Sequence, residues 1–270
     1  QMTIEAKIIA DSISEEGNRL TTLQLVYPRF IHSEFMTHRM FSRNASSSRA
    51  IPVNKMIEAV RTNPAMPIHW GANQPGMQAR AELTSVKRTV VKALWHCAAY
   101  AATGIAYAMS ALGAHKQVVN RILEPFQHIH VVVTATEWGN FFALRCHQDA
   151  QPEIQSLAAS IVHAMEHSEP KKLAPGEWHL PYVTDSERLN HTTVDCIKMS
   201  GARCARVTHV NHDGTTASLV PDTKLYNQLT TAMPPHMSPV EHQAMAIPSS
   251  KFFANFRGWK QHRWSLERSQ

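Results

Sequence analysis

The chain has 270 residues, 43% of them hydrophobic, with a formal charge of +6 and a pI near 9.3. It is long and apolar enough to bury the core of one large domain or two small ones, which excludes a disordered polymer. The sign of the charge favours anionic partners such as nucleotides, phosphorylated cofactors or nucleic acid, without choosing among them. No apolar run approaches a membrane span. The start, with Gln1 ahead of Met2 as a processing remnant, carries no basic-then-apolar signal segment, so a cytoplasmic protein is expected.

Residues 4–10 and 20–27 read as strands; in the second, Leu23, Leu25 and Tyr27 alternate with Thr22, Gln24 and Val26. Pro28 suits a first helical position, and Phe30, Ile31, Phe35 and Met36 form an apolar stripe. Thr37 to Arg49, T-H-R-M-F-S-R-N-A-S-S-S-R, packs three arginines, one histidine and four serines into thirteen residues with little to bury. Guanidinium forks, hydroxyls and loop N–H groups suit a planar, phosphate-bearing ligand, although a solvated serine-rich turn has the same composition. Ile51 to Val60 reads as a short helix stopped at Asn63-Pro64. His69 to Met77 reads as a loop of the kind that lines or covers sites.

Ala79 to Leu112 predicts two helices ending at Gly113, with Ala98 to Met109 as a packing face. Ile129 to Thr136 is the continuous β-branched run of a buried strand, and Pro152 opens a helix over 153–166. The polar and proline-rich stretch 168–199 reads as a linker or insertion. The chain starts afresh at Ser200 with S-G-A-R-C-A-R-V, followed by a turn at Asn211-His212-Asp213-Gly214 and a helix from Val220 to Ala232. Ser238-Pro239-Val240-Glu241 has the pattern of a capping box opening another helix. The four cysteines contain no C-x-x-C pair, so reduced, mostly buried thiols are expected. The 17 histidines follow no zinc-binding spacing, and no metal is expected.

Together these segments resemble the flavin-dependent thymidylate synthases, the ThyX family. Thr37 to Arg49 is similar to the family's R-H-R-x-x-S-x-N-E-x-S-x-R, with Thr37 for the first Arg and Ala45 for Glu. Asn120 to Pro125 keeps the Arg and Pro of A-R-x-x-L-P but has Asn120 for Ala and Glu124 for Leu. Asn140 to Arg145 with Ala150 to Ile154 closely matches N-F-x-x-L-R-x-x-x-x-A-Q-x-E-I. Ser200 to Val207 resembles S-x-x-R-A-A-R-V-S, and Pro235 to His242 resembles H-x-T-P-F-E-H; both ordinarily precede the H-R motif, and here both follow it. The tail around His262-Arg263 looks like a second copy of the run into H-R.

The resemblance implies a circularly permuted α/β (α+β) fold with a central, mostly antiparallel sheet and helices. Residues 1–167 would form the core, 168–199 a linker or insertion, and 200–270 the displaced segment completing the same domain. It implies that dUMP is methylated to dTMP, with methylenetetrahydrofolate as carbon donor, NADPH as reductant and FAD as bound cofactor, and that no enzyme cysteine attacks the base. Arg145 and Ser47 become the catalytic candidates, with Arg145 at the pyrimidine edge. Ser47, Ser48, Arg49, Arg121 and Arg145 would hold the nucleotide. His38, Arg39, Asn44, Thr134, Thr136, Asn140, His236, Ser238 and Glu241 would face FAD. A homo-oligomer is implied, with a tetramer favoured. Two other readings stay open: a related enzyme that leaves a hydroxymethyl group or accepts dCMP, and a basic nucleic-acid-binding protein. For the second there is no RNP-type motif, zinc finger or basic helix, so nucleic acid is the less expected partner.

Overall fold

Two long antiparallel strands, Glu5–Ser14 and Arg19–Pro28, with a register shift between Ile8 and Ala10, lie at the centre of the molecule. The computed structural model describes residues 4–208 and 216–268. Its first elements are strands β1 (Glu5–Ser14) and β2 (Arg19–Pro28), a 3-10 turn (Arg29–Ile31), helix α1 (His32–Phe35), strand β3 (Ser42–Ala45) and helix α2 (Val53–Thr62). Helices α3 (Ser85–Ala111) and α4 (Lys116–Val119), a 3-10 stretch (Asn120–Phe126), strand β4 (His128–Ala135) and helices α5 (Gly139–Arg145) and α6 (Pro152–Glu166) follow. The remaining elements are β5 (Lys171–Leu173), β6 (Trp178–His179), α7 (Asp185–Asn190), α8 (Thr193–Arg206) and α9 (Leu219–Thr230). A 3-10 turn (Ser238–Glu241), β7 (Ala244–Ala246), β8 (Phe252–Phe253), β9 (Phe256–Arg257), β10 (Trp259–Gln261) and α10 (His262–Glu267) complete the chain.

The main sheet has the order β3-β4-β2-β1-β5, antiparallel throughout except for the β1–β5 pair. Pairing of Leu23 with Val133 and Leu25 with Val131 sets one apolar face, which α5 and α6 cover with Phe141, Ile154, Leu157 and Ile161. Each of these fully buried side chains contributes on the order of 1.5–3 kcal/mol. The alternation read in 20–27 therefore holds for Leu23, Leu25 and Tyr27, but the opposite face is not solvent. Thr22, Val132 and Thr134 are completely buried there, beneath Tyr182, Cys204, His179 and His242 from the last third of the chain.

Cys204 in that cover comes from α8, and α9 packs behind it, approaching closely at Gly201: a Cβ there would lie 2.9 Å from the Tyr226 ring. Their charged seam is buried. Asp222 of α9 accepts from Arg203 Nε at 2.9 Å and from Arg206 Nη2, and Arg203 also donates to Glu187 and to the Tyr182 carbonyl. The stretch 168–199 carries β5, β6, α7 and the first turns of α8; β5 pairs with β1 at the edge of the main sheet. Ser200 lies inside α8, so no element starts there.

Several local expectations change. Pro28 closes β2 instead of opening a helix. One continuous helix, Ser85–Ala111, replaces the two read in 79–112; Gly104 within it is tolerated in open space, and Gly113, at φ +85°, ends it. The face 98–109 buries only Ala99, Thr103 and Ala106, and much of the helix is exposed. Ser238 caps nothing: the segment is a 3-10 turn preceded by Met237, because Ser238 Oγ turns to Asn44 and Glu241 to Arg263. A complete capping box forms instead at Thr184 and Glu187. Cys196 and Cys204 are buried, but Cys97 and Cys146 are exposed. The turn expected at 211–214 lies outside the described residues.

Candidate active site

Arg145, the last residue of α5, reaches back to the H-R-x-x-S segment. Its Nε donates to His38 Nε2 at 3.0 Å, Nη1 to Glu34 Oε2 at 3.1 Å, and Nη2 to Thr37 Oγ1 at 3.3 Å. Thr37 thus stands in the site as a hydroxyl. It is itself fixed by donating to the Glu34 carbonyl at 2.7 Å. Because His38 Nε2 accepts, the ring proton of the neutral imidazole lies on Nδ1. Burial, with Arg145 and Arg43 beside it, pushes the His38 pKa down to about 4, so the ring stays neutral near pH 7.

Arg145 and Glu34 lie on the wall of a cavity of about 1070 Å³. Phe30 and Trp95 line it, and the loop after α2 closes one side with His69, Gln78 and Arg80. The base of that loop is held by the Ile68 N–H, which donates to buried Glu153 at 2.7 Å, and by Trp95 Nε1, which donates to the Ala65 carbonyl at 2.9 Å. Arg80 pairs with Asp149 at 3.1 Å, and Gln78 donates to the Asp149 carbonyl at 3.2 Å. Within A-Q-x-E-I, then, Glu153 anchors the loop and Gln151 donates to Glu153 at 3.1 Å.

A second group surrounds β3. Asn44 Nδ2 donates to the Cys204 carbonyl at 2.9 Å, and Asn44 Oδ1 accepts from Ser238 Oγ at 3.1 Å. Arg43 joins this group to the first: it donates to the Met36 and His38 carbonyls at 2.7 and 3.0 Å, within the field of Glu241. Glu241 is itself paired with Arg263 of the repeated H-R, while His262 Nε2 meets the Tyr226 hydroxyl at 2.7 Å. A third group lies at the turn after β3, where Ser48 and Arg121 both donate to Glu124.

The remaining predicted positions are scattered. Thr134 is fully buried between Thr22 at 2.7 Å and His242 Nδ1 at 2.8 Å. Thr136 accepts the Arg257 N–H at 3.1 Å, and Ser47 Oγ accepts the Arg49 N–H at 3.3 Å. Arg39, Arg49, Asn140 and His236 are exposed. Their side chains make no hydrogen bond or ion pair among the described residues. One chain therefore brings together Arg145 with His38 and Asn44 with Ser238, but not the whole predicted set. The sequence reading missed Glu34, Glu153 and His242. Glu34 carried one signal, its place three residues before Thr37 at the end of an apolar stripe.

Thr134 belongs to a longer buried chain. Ser12 Oγ meets His179 Nδ1 at 2.8 Å, His179 Nε2 meets Thr22 at 2.8 Å, and Thr22, Thr134 and His242 continue it. Burial drives the pKa of both His179 and His242 down to about 3. The unfolded chain binds protons at these sites below the ordinary histidine pKa near 6.5, whereas the folded chain does not until about pH 3. Their stabilisation is therefore complete above pH 6.5 and is lost as pH falls through that window, by roughly 1.4 kcal/mol per pH unit for each histidine. Urea unfolding midpoints should drop steadily between neutral and acid pH; a flat profile would contradict the burial of both neutral rings.

The family model of the thymidylate synthase complementing protein matches residues 19–171. Two solved structures of the UMP/dUMP methylase PolB from Streptomyces cacaoi share the fold at 16% identity. The one bound with 5-Br UMP has a TM-score of 0.53 and covers 61% of this chain and 89% of its own. The one bound with 5-Br dUMP has a TM-score of 0.50, covering 61% and 90%. No curated protein matches the chain. The matched span holds β2 through α6, with Arg145, His38 and the serine-rich turn inside it, and the chain belongs to the family of thymidylate synthase complementing proteins, the ThyX family that its motifs resemble.

Proposed function

We propose that this protein methylates dUMP to dTMP with FAD as bound cofactor, NADPH as reductant and methylenetetrahydrofolate as carbon donor. The observation that carries the reading is Arg145, fixed by His38, Glu34 and Thr37 on the wall of a cavity large enough for a nucleotide. A guanidinium already oriented by three side chains can meet negative charge developing on a pyrimidine ring without reorganising. Neutral His38 supports this by accepting from Arg145 and adding no second cation at that point. PolB, a methylase of UMP and dUMP by its name, shares the fold.

The donor set suits a phosphate-bearing flavin. Arg39, Asn140 and His236 are exposed, with side chains that make no hydrogen bond or ion pair among the described residues, and Ser238 and Asn44 form a hydroxyl–amide pair beside them in the motif order. FAD, when bound, supplies hydride transfer. This chain's residues bind and orient the ligands, and Arg145 holds charge at the ring edge.

Two further features belong to the same reading. The segment 200–270 is the family's leading segment moved to the end of the chain; the bonds from Asn44 to the Cys204 carbonyl and Ser238 support this, because they join the displaced motifs to β3. The working protein is a homo-oligomer, with a tetramer favoured. In support, α3 leaves Val90, Leu94, Tyr100, Ile105 and Tyr107 more than half exposed, an apolar stripe that a second copy would cover. A second copy would also bring together groups that one chain keeps apart.

The test is the visible spectrum of the purified protein, recorded under anaerobic NADPH with and without dUMP, and again in the sedimenting boundary. The reading requires flavin bands that bleach, a response to dUMP, and flavin travelling with the oligomer. Absence of flavin after FAD is supplied would reject it, and flavin on a monomer would reject the shared site. A hydroxymethyl product after folate addition would move the assignment to the related pyrimidine-nucleotide enzyme.

A further inference from the structure

Glu124 stands where the resembling motif has leucine, and its surroundings are those of a bound anion. A single oxygen, Oε1, receives Ser48 Oγ at 2.6 Å, Arg121 Nη1 at 2.9 Å and Arg29 Nη2 at 3.2 Å. Ser48 is almost completely buried, and the Glu124 and Arg29 side chains are only 22% and 20% exposed. The turn that presents Ser48 is fixed from behind. Buried Asn120 donates through Nδ2 to the Ser48 carbonyl at 2.7 Å and to the Ile51 carbonyl at 2.9 Å. Arg49, the next residue, is an exposed cation with no carboxylate partner among the described residues. Both departures from A-R-x-x-L-P, Asn120 and Glu124, therefore act on the same serine.

Hydroxyl and guanidinium donors converging on one oxygen form a seat for an oxyanion, and a phosphate monoester oxygen makes the same demand. A carboxylate and a phosphate cannot share that seat, because like charges at contact distance repel strongly. We propose that Glu124 is an autoinhibitory latch at the phosphate end of the nucleotide site: its carboxylate occupies the phosphate seat and is displaced when a phosphate monoester binds. The inference rests on the reading of Ser48 and Arg121 as nucleotide contacts. A phosphate dianion can replace the carboxylate because it offers several oxygens to Ser48, Arg29, Arg121 and Arg49 together. A ligand with one anionic oxygen would exchange one carboxylate bond set for another and gain nothing. The latch thus weakens the binding of phosphorylated ligands, which must displace it, and leaves nucleosides unaffected.

The experiment is calorimetric titration of wild-type protein, Glu124→Gln and Glu124→Leu with inorganic phosphate, dUMP and deoxyuridine, at low and high salt. Removing the internal anion should tighten inorganic phosphate and dUMP by about tenfold in both variants, with deoxyuridine unchanged and the gain shrinking at high salt. Leucine carries no polar atom, so agreement between the variants excludes a Gln amide standing in for the ligand. Equal or weaker phosphate binding in the two variants overturns the latch, as does an equal gain for deoxyuridine, which would mean a general loosening. Tighter phosphate in variants that take up no dUMP would keep the latch and remove the nucleotide reading. Matching thermal melting curves confirm that the compared proteins are folded.

Discussion

Arg145→Ala is expected to lower turnover of dUMP by about 10²–10³-fold, the usual cost of removing one preorganised donor at a developing negative charge. Stability should change little. The Arg145–Glu34 pair is partly solvated, with side chains 18% and 32% exposed, and such pairs contribute about 1 kcal/mol or less. Bound flavin should remain, since the Asn44–Ser238 pair is built by other elements. Arg145→Lys should fail to rescue, because an ammonium cannot supply the Nε bond to His38 and the two-pronged contact to Glu34 and Thr37 at once. The measurement is steady-state kinetics beside a thermal melt and a flavin spectrum. Normal kcat with the alanine variant would remove Arg145 from the chemistry.

Asp222→Ala should be the most damaging single change to the fold, costing about 3–5 kcal/mol. The carboxylate is fully buried and bonded to Arg203 and Arg206, both nearly inaccessible. Truncation leaves two guanidinium groups against each other; Arg203 would retain Glu187, but Arg206 would lose its one carboxylate partner among the described residues. Urea denaturation of the intact chain gives the readout, and Asp222→Asn should fall between wild type and Ala because one acceptor oxygen survives. A shift under about 1 kcal/mol for Ala would show that solvent reaches the seam. The damage should spread to the sheet, because α8 also supplies Cys204, which packs on Val132.

What was legible in the sequence was local. Leu23, Leu25, Tyr27 and the run 129–136 announce paired strands because side-chain alternation and β-branching act over a few residues. Arg145 and His38 were legible as members of ordered motifs, and the structure puts them in contact. The second face of the sheet was not legible. Thr22 sits on the polar side of its strand's alternation, and nothing near it or Thr134 in sequence shows that His179 and His242, more than a hundred residues away, satisfy the two hydroxyls. The same holds for Ser238, whose neighbours spell a capping box; a bond to Asn44, 194 residues distant, outweighs the local pattern. Glu124 read as an imperfection in a weak motif, because nothing in its own segment shows that Ser48 and Arg29 converge on it.

The buried chain from Ser12 to His242 carries a consequence for where its protons sit. Each threonine hydroxyl has one proton and two neighbours in the chain, so it must give in one direction and take from the other. If neutral His179 carries its proton on Nε2, that proton points to Thr22, Thr22 points to Thr134, and Thr134 points to His242 Nδ1, which leaves the His242 proton on Nε2. If His179 carries it on Nδ1, toward Ser12, every arrow reverses and His242 is protonated on Nδ1. The two rings, on opposite sides of a threonine pair, therefore share one tautomeric state, and a change at either imidazole is transmitted to the other without any atom heavier than hydrogen leaving its place.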